Sequence, residues 1–171
     1  MYLKIIKGDI SQMRTQAIVN AANRDLRQGS GVCGAIFRGA GPRDMEEACQ
    51  ALRPIETGQA VLTPGFKLAA DYVIHTAGPI YRDGQHGEEA LLRAAYENSM
   101  ALAKKEGIGS IAFPLISSGI YGYPQEEALR VAIKTLDKAA QDLKIETYLV
   151  LFDQALLEAA QAMASLLDGE N

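Results

Sequence analysis

The 171-residue sequence predicts one layered α/β domain, with helices covering both faces of a largely parallel sheet. Two observations carry that prediction. Apolar runs of about four to six residues, each close to Gly, Pro or Asp, are interleaved with longer helical stretches, as parallel strands require for their crossovers. The composition is that of a globular chain, 48% hydrophobic and 22% charged with 16 Gly and 6 Pro, and the length suits a single domain of about 100 to 200 residues. No linker, charge block or repeat divides it, so one domain over 1–171 is expected.

In chain order, Lys4–Lys7 and Gln16–Asn20 read as short strands, the second ended by Asn. Cys33–Gly39 reads as a short helix. Pro42–Leu52 reads as another, with Pro in its first turn and Asp44, Glu46 and Glu47 placed early, where negative charge complements the helix dipole. Gln59–Thr63 and Tyr72–Thr76 are strand candidates. Gly87–Glu106 places Leu and Ala at helical spacing and can stop at Gly107. Ser110–Pro114 is the next strand, Pro124–Leu143 the next helix, then strand Thr147–Phe152 and amphipathic helix Ala155–Leu167.

No apolar run reaches the roughly 18 to 20 residues of a membrane span, and the opening residues lack a signal-peptide pattern. A soluble, cytoplasmic, monomeric protein is expected. Cys33 and Cys49 are too few for a disulfide framework or a four-ligand zinc site, and with His75 and His86 they show no metal-ligand spacing. Net charge is −4, yet residues 1–54 hold eight Lys/Arg against five Asp/Glu, and the remainder nine against sixteen. A mildly basic first third without a basic stripe suits a small anion better than a nucleic acid.

From Gly29 to Gly41 there are five glycines in thirteen residues. Glycine permits positive φ and lets N–H groups converge on an anion, so the run reads as a phosphate cradle facing a helix start; a merely tight turn would use the same residues. Gly29, Gly31 and Gly34 also spell the dinucleotide fingerprint, but no strand directly precedes them and no acidic strand end follows about 20 residues later. A Rossmann oxidoreductase is therefore not expected. A second small-residue turn, Leu115 to Pro124, joins a strand to a helix. Two such loops at strand carboxyl ends can close on one ligand.

Gly8-Asp9-Ile10, Val19-Asn20-Ala21-Ala22-Asn23, Gly29-Ser30-Gly31-Val32 with Gly34-Ala35-Ile36, Ile74-His75-Thr76 with Gly78-Pro79, and Phe113 to Pro124, in that order, together resemble the macrodomain family over residues 3–153. The resemblance implies a three-layer α/β/α sandwich with a mixed, largely parallel sheet that binds ADP-ribose. It implies that Asp9 accepts from the adenine amino group beside Ile10, that Phe152 stacks on adenine, that Asn23 meets the distal ribose, and that Ala22 beside it is among the ligand-binding residues. Gly31, Val32, Cys33 and Gly34 with Ser117, Ser118, Gly119, Ile120 and Tyr121 would hold the diphosphate, and Asn23, Gly31 and Tyr121 would act at the reacting end. The substrates implied are O-acetyl-ADP-ribose and proteins carrying mono-ADP-ribose on Asp or Glu, cleaved without a metal or redox cofactor.

Two departures bear on activity. Cys33 and Phe37 stand where MacroD-type hydrolases carry Asp and His, which keeps a non-catalytic ADP-ribose reader as the alternative. A viral branch that resembles Gly-x-Gly-Val-Cys here is credited with removing ADP-ribose from acidic side chains. A phosphate oxygen of the substrate can orient the water in place of the missing carboxylate. Cys33 itself reads as inert rather than nucleophilic, because no His or carboxylate lies in its loop. His75, inside an apolar strand, reads as a hydrogen-bonded structural histidine. His86 reads as exposed, and Asp25 and Arg27 as a solvated surface pair.

Overall fold

The computed structural model describes residues 1–170; Asn171, the last residue of the expected domain, lies outside the described residues. Six strands, β1 (Leu3–Lys7), β2 (Ala17–Ala22), β3 (Ala60–Pro64), β4 (Tyr72–Ala77), β5 (Ser110–Phe113) and β6 (Glu146–Leu151), form one sheet in the order β1-β6-β5-β2-β4-β3. Every neighbouring pair is parallel except β3 with β4. That exception follows from chain length: 65–71 is too short to cross over and return parallel, and Gly65 N donates to Asp71 O at 2.7 Å to close the turn.

Five helices cover the sheet: α1 (Gly31–Ala40), α2 (Pro42–Gln50), α3 (Glu88–Lys105), α4 (Gln125–Leu143) and α5 (Gln154–Gly169). Consecutive strand residues point to opposite faces, so Val19, Ile74, Phe113 and Leu149 enter one core with Tyr96, Leu129 and Met163 of α3, α4 and α5. Ile18, Val73, Ala112 and Val150 enter the other, with Ile36, Phe37 and Met45 of α1 and α2. The result is the three-layer sandwich.

Most element ends shift by a residue or two, β2 for example running to Ala22 past the expected Asn20, and two of the shifts bear on the site. The helix expected over 33–39 runs from Gly31 to Ala40, so Gly31 to Gly34 are its first turn and not a loop. Gly31 sits at φ +59°, and a Cβ at Gly34 would stand 2.6 Å from Gly29 O; glycine at both lets the turn begin early against the preceding chain. β6 stops at Leu151, leaving Phe152 beyond the strand, because Asp153 turns the chain by accepting from Leu156 N at 2.7 Å as the α5 N-cap.

Candidate functional site

The parallel strands all deliver their carboxyl ends to one edge, and the candidate site is built there. A cavity of about 420 Å³ is walled by Ala22 at the end of β2 and Asn23 after it, by Gly31, Val32 and Cys33 of α1, by Gly78 after β4, and by Ser117 to Tyr121 after β5. Its volume is that of a small-molecule site. Among the described residues, no Asp, Glu, His, Lys or Arg lines it.

Its polarity comes from backbone. Ser30, the α1 N-cap, makes no side-chain cap bond and the first turn carries no acidic residue, so the Gly31, Val32 and Cys33 amides keep their hydrogens for something else. Gly34 is different: it is buried, and its N–H donates to Ser30 O at 3.3 Å, so this one expected donor is used inside the helix. Across the cavity, the second loop is knitted by Tyr123 N to Ser117 O (2.9 Å), Gly122 N to Gly119 O (3.0 Å) and Ser118 Oγ to Leu115 O (3.1 Å). Among the described residues, the amides of Ser118, Gly119, Ile120 and Tyr121 have no protein acceptor.

Ser117 is strained, at φ +67°, and its buried hydroxyl has no partner. Non-glycine residues persist at such φ only where their surroundings hold them, and such residues gather at ligand sites. Gly78 does some of that holding. A Cβ there would overlap Ser117 Oγ and Ile116 Cγ2, so only glycine lets β4 approach the loop this closely. Tyr96 does more, its Oη accepting from Ile116 N at 3.0 Å; burial raises its pKa, so the phenol stays neutral.

Asn23, half-buried in the wall, grips the Arg27 backbone from both sides: Oδ1 accepts from Arg27 N and Nδ2 donates to Arg27 O, each at 3.0 Å. Tyr121 lines the opposite side; burial, with smaller effects of Cys33 and Asp25, raises its pKa and keeps its hydroxyl a donor. The Cys33 thiol donates to Arg27 O and accepts from Asn20 Nδ2, both at 3.6 Å, and touches neither His nor carboxylate. Those contacts fit the inert reading. Asp25 and Arg27 are exposed but form no ion pair among the described residues, so the expected surface pair is not formed.

Asp9, Ile10 and Phe152 do not line the cavity. They sit farther along the same edge, after β1 and β6, where Gly8 N donates to Leu151 O at 2.9 Å. Asp9 is exposed; its Oδ1 caps a 3-10 turn, Ile10–Gln12, by accepting from Ser11 N (2.9 Å) and Ser11 Oγ (2.7 Å), and Oδ2 takes no bond among the described residues. Phe152 is 79% exposed. Phe37, by contrast, is buried and meets His75 edge-on at 6.4 Å, so its departure from the family pattern alters packing and leaves the cavity wall untouched.

Sequence reasoning missed Tyr96 and the loop before α3. There Glu88 is buried: burial opposes ionisation, but the amides of Arg82, Asp83, Gly84 and His86 donate to it and hold its pKa down at about 2. His86 Nδ1 pairs with Asp83 Oδ1 at 2.8 Å. These three side chains have metal-ligand character, yet Glu88 is occupied in folding the loop and the other two in holding each other. The loop abuts the cavity through Tyr81, which donates its N–H to Tyr121 O at 2.9 Å and packs its ring 4.9 Å from that of Tyr123.

Comparison with known proteins agrees with this architecture. The Macro domain family model matches residues 19–132. A macro domain-containing protein of Ralstonia nicotianae is 48% identical over 92% of this chain and 95% of its own length. A Salmonella typhimurium protein named O-acetyl-ADP-ribose deacetylase is 46% identical over 96% of this chain and 93% of its own. Among solved structures, an Oceanobacillus iheyensis macrodomain variant with ADPR superposes with a TM-score of 0.90 at 37% identity, covering 98% of this chain and 94% of that one. The chain belongs to the Macro domain family.

Proposed function

We propose that the protein binds ADP-ribose and hydrolyses its esters, by deacetylating O-acetyl-ADP-ribose or by removing mono-ADP-ribose from protein Asp or Glu. The observation that carries this reading is the pair of unpartnered amide sets, on α1 and on 118–121, facing one cavity. Uncompensated N–H groups on two sides of a groove suit a bent diphosphate. The strand order supports the rest. β1, β6, β5, β2 and β4 are successive neighbours, so the edge from Asp9 to Gly78 spans about 19 Å at roughly 4.8 Å per strand, room for a nucleoside at one end and a ribose at the other. Asp9 Oδ2 would accept from the adenine amine with Phe152 alongside, and Asn23 and Tyr121 would meet the distal ribose. The relatives named deacetylase support the reaction class.

With no charged side chain in the wall, the water must be oriented by the ligand's own phosphate, itself bent toward the reacting carbon by Gly31-Val32 and Ser118-Gly119. The same lack of a general base favours a second reading, a module that binds ADP-ribose and leaves it intact. Incubation with O-acetyl-ADP-ribose, and with a protein mono-ADP-ribosylated on Glu, separates the two. Release of acetate or of free ADP-ribose is expected; binding by calorimetry with neither release would leave the reader, and absence of binding would overturn both.

A further inference from the structure

We infer that Asn20, which lies outside the cavity wall, is a positioning residue for Asn23, acting through a hydrogen-bond chain that runs Thr63–His75–Asn20–Cys33–Arg27–Asn23, buried as far as Cys33 and reaching the surface at Arg27. The inference deepens the esterase reading and rests on it for its kinetic part.

The chain can be followed proton by proton. An amide nitrogen only donates, so Asn20 Nδ2, 3.1 Å from His75 Nδ1, makes that ring nitrogen the acceptor. The neutral imidazole then carries its proton on Nε2 and gives it to Thr63 Oγ1 at 2.9 Å, whose own hydrogen goes to Met45 Sδ at 3.4 Å. The second Asn20 amide proton goes to Cys33 Sγ, and the thiol hydrogen goes on to Arg27 O. That carbonyl is also the acceptor for Asn23 Nδ2. Cys49 Sγ also lies 4.0 Å from His75 Nε2, a longer contact than Thr63 Oγ1, and the direction of the chain is consistent from end to end. Asn20 and His75 are fully buried, and burial lowers the His75 pKa to about 4, in keeping with a neutral ring.

Two features show that the chain does more than fill space. Asn20 Oδ1 is buried without a partner, a cost an apolar residue on β2 would avoid, so what the position uses is the two donors. The turn the chain grips is strained, with Leu26 at φ +51°; it is also tied by Asn23's own bonds to Arg27, by Leu26 N to Asn23 O, by Ile55 N to Arg24 O and Arg24 Nε to Ile55 O, and by the exposed Arg24–Glu56 ion pair, none of which reaches α1. Cys33 adds the bond that joins this turn to the first turn of α1, so the amide donors and Asn23 hold one spacing across the cavity. A carboxylate at position 33 would have no proton to give Arg27 O.

The test needs no change in the cavity wall. His75→Asn keeps an acceptor where Nδ1 stands; His75→Leu removes it. In the wild type, ring nitrogen NMR shifts should show the neutral Nε2–H tautomer. His75→Leu should speed iodoacetamide labelling of Cys33 several-fold, read on its peptide by mass spectrometry, and should lower kcat on O-acetyl-ADP-ribose by about 10- to 100-fold with KM little changed. His75→Asn should stay near wild type in both. An Nδ1–H tautomer in the wild type, or equal labelling of Cys33 in the two variants, would overturn the chain, and the tautomer is readable even if a variant fails to fold. A wild type without turnover would defeat the esterase reading alone, because the tautomer and the labelling would still decide whether the chain exists.

Discussion

Acidification puts a direct load on His75. Its ring is fully buried, and the cost of burying a charge holds its folded pKa at about 4 against 6.5 in the unfolded chain. Above pH 6.5 the ring is neutral in both states and stability is at its full value. Below 6.5 the unfolded chain takes up a proton that the folded one refuses until about pH 4, so stability falls with pH across that window and levels off beneath it. At 1.36 kcal/mol per unit, the difference of 2.5 units amounts to about 3 kcal/mol, a large part of a typical domain's roughly 5 to 15. Urea unfolding at pH 7.5, 6, 5 and 4 measures the loss, and the same series on His75→Asn, which has nothing to protonate, should lack this component. The difference between the two curves cancels carboxylates common to both. If the variant loses stability as steeply as the wild type between pH 6.5 and 4, the burial argument fails.

Asn23→Ala should abolish turnover while largely sparing ADP-ribose affinity, and by freeing the Arg27 backbone it should also cost about 1 kcal/mol of stability. Equal losses of turnover and affinity would contradict its assigned role at the ribose. Asp9→Ala should weaken ADP-ribose binding by about 10- to 100-fold in calorimetry, as expected for losing a hydrogen bond to a charged acceptor; unchanged affinity would remove the carboxylate from the purine end. Gly78→Ala, whose Cβ collides with Ile116 and Ser117, should displace the second loop, lowering both affinity and thermal stability by about 1–3 kcal/mol of overpacking; a variant crystal structure with the loop unmoved would refute the close-approach argument.

Much of the molecule is legible in the chain because the signals are local. Five of the six strands fall on apolar runs beside Gly, Pro or Asp, β2 on a β-branched run beside Asn, and the helices on apolar residues three and four apart, so neighbours along the sequence suffice to place them. Both cavity-lining segments, the first turn of α1 and the loop 117–121, show through their glycine and hydroxyl density. The two shifted boundaries at the site, Gly31 and Phe152, moved because the Gly29 carbonyl and the Asp153 cap decide them. Asn23, Cys33 and Tyr121 line one cavity. What they do there depends on partners the sequence does not announce: Tyr96, twenty positions from the amide it anchors, and His75, fifty-five from Asn20.

The sequence by itself determined the elements, the glycine-rich turn and the family pattern, since each rests on interactions among residues close along the chain. Only the tertiary structure decided the strand order, the emptiness of the cavity wall of charge, the burial that keeps His75 neutral, and the path from Thr63 to Asn23. These depend on distances between segments, and segment distances are set by how the two apolar faces of the sheet are covered.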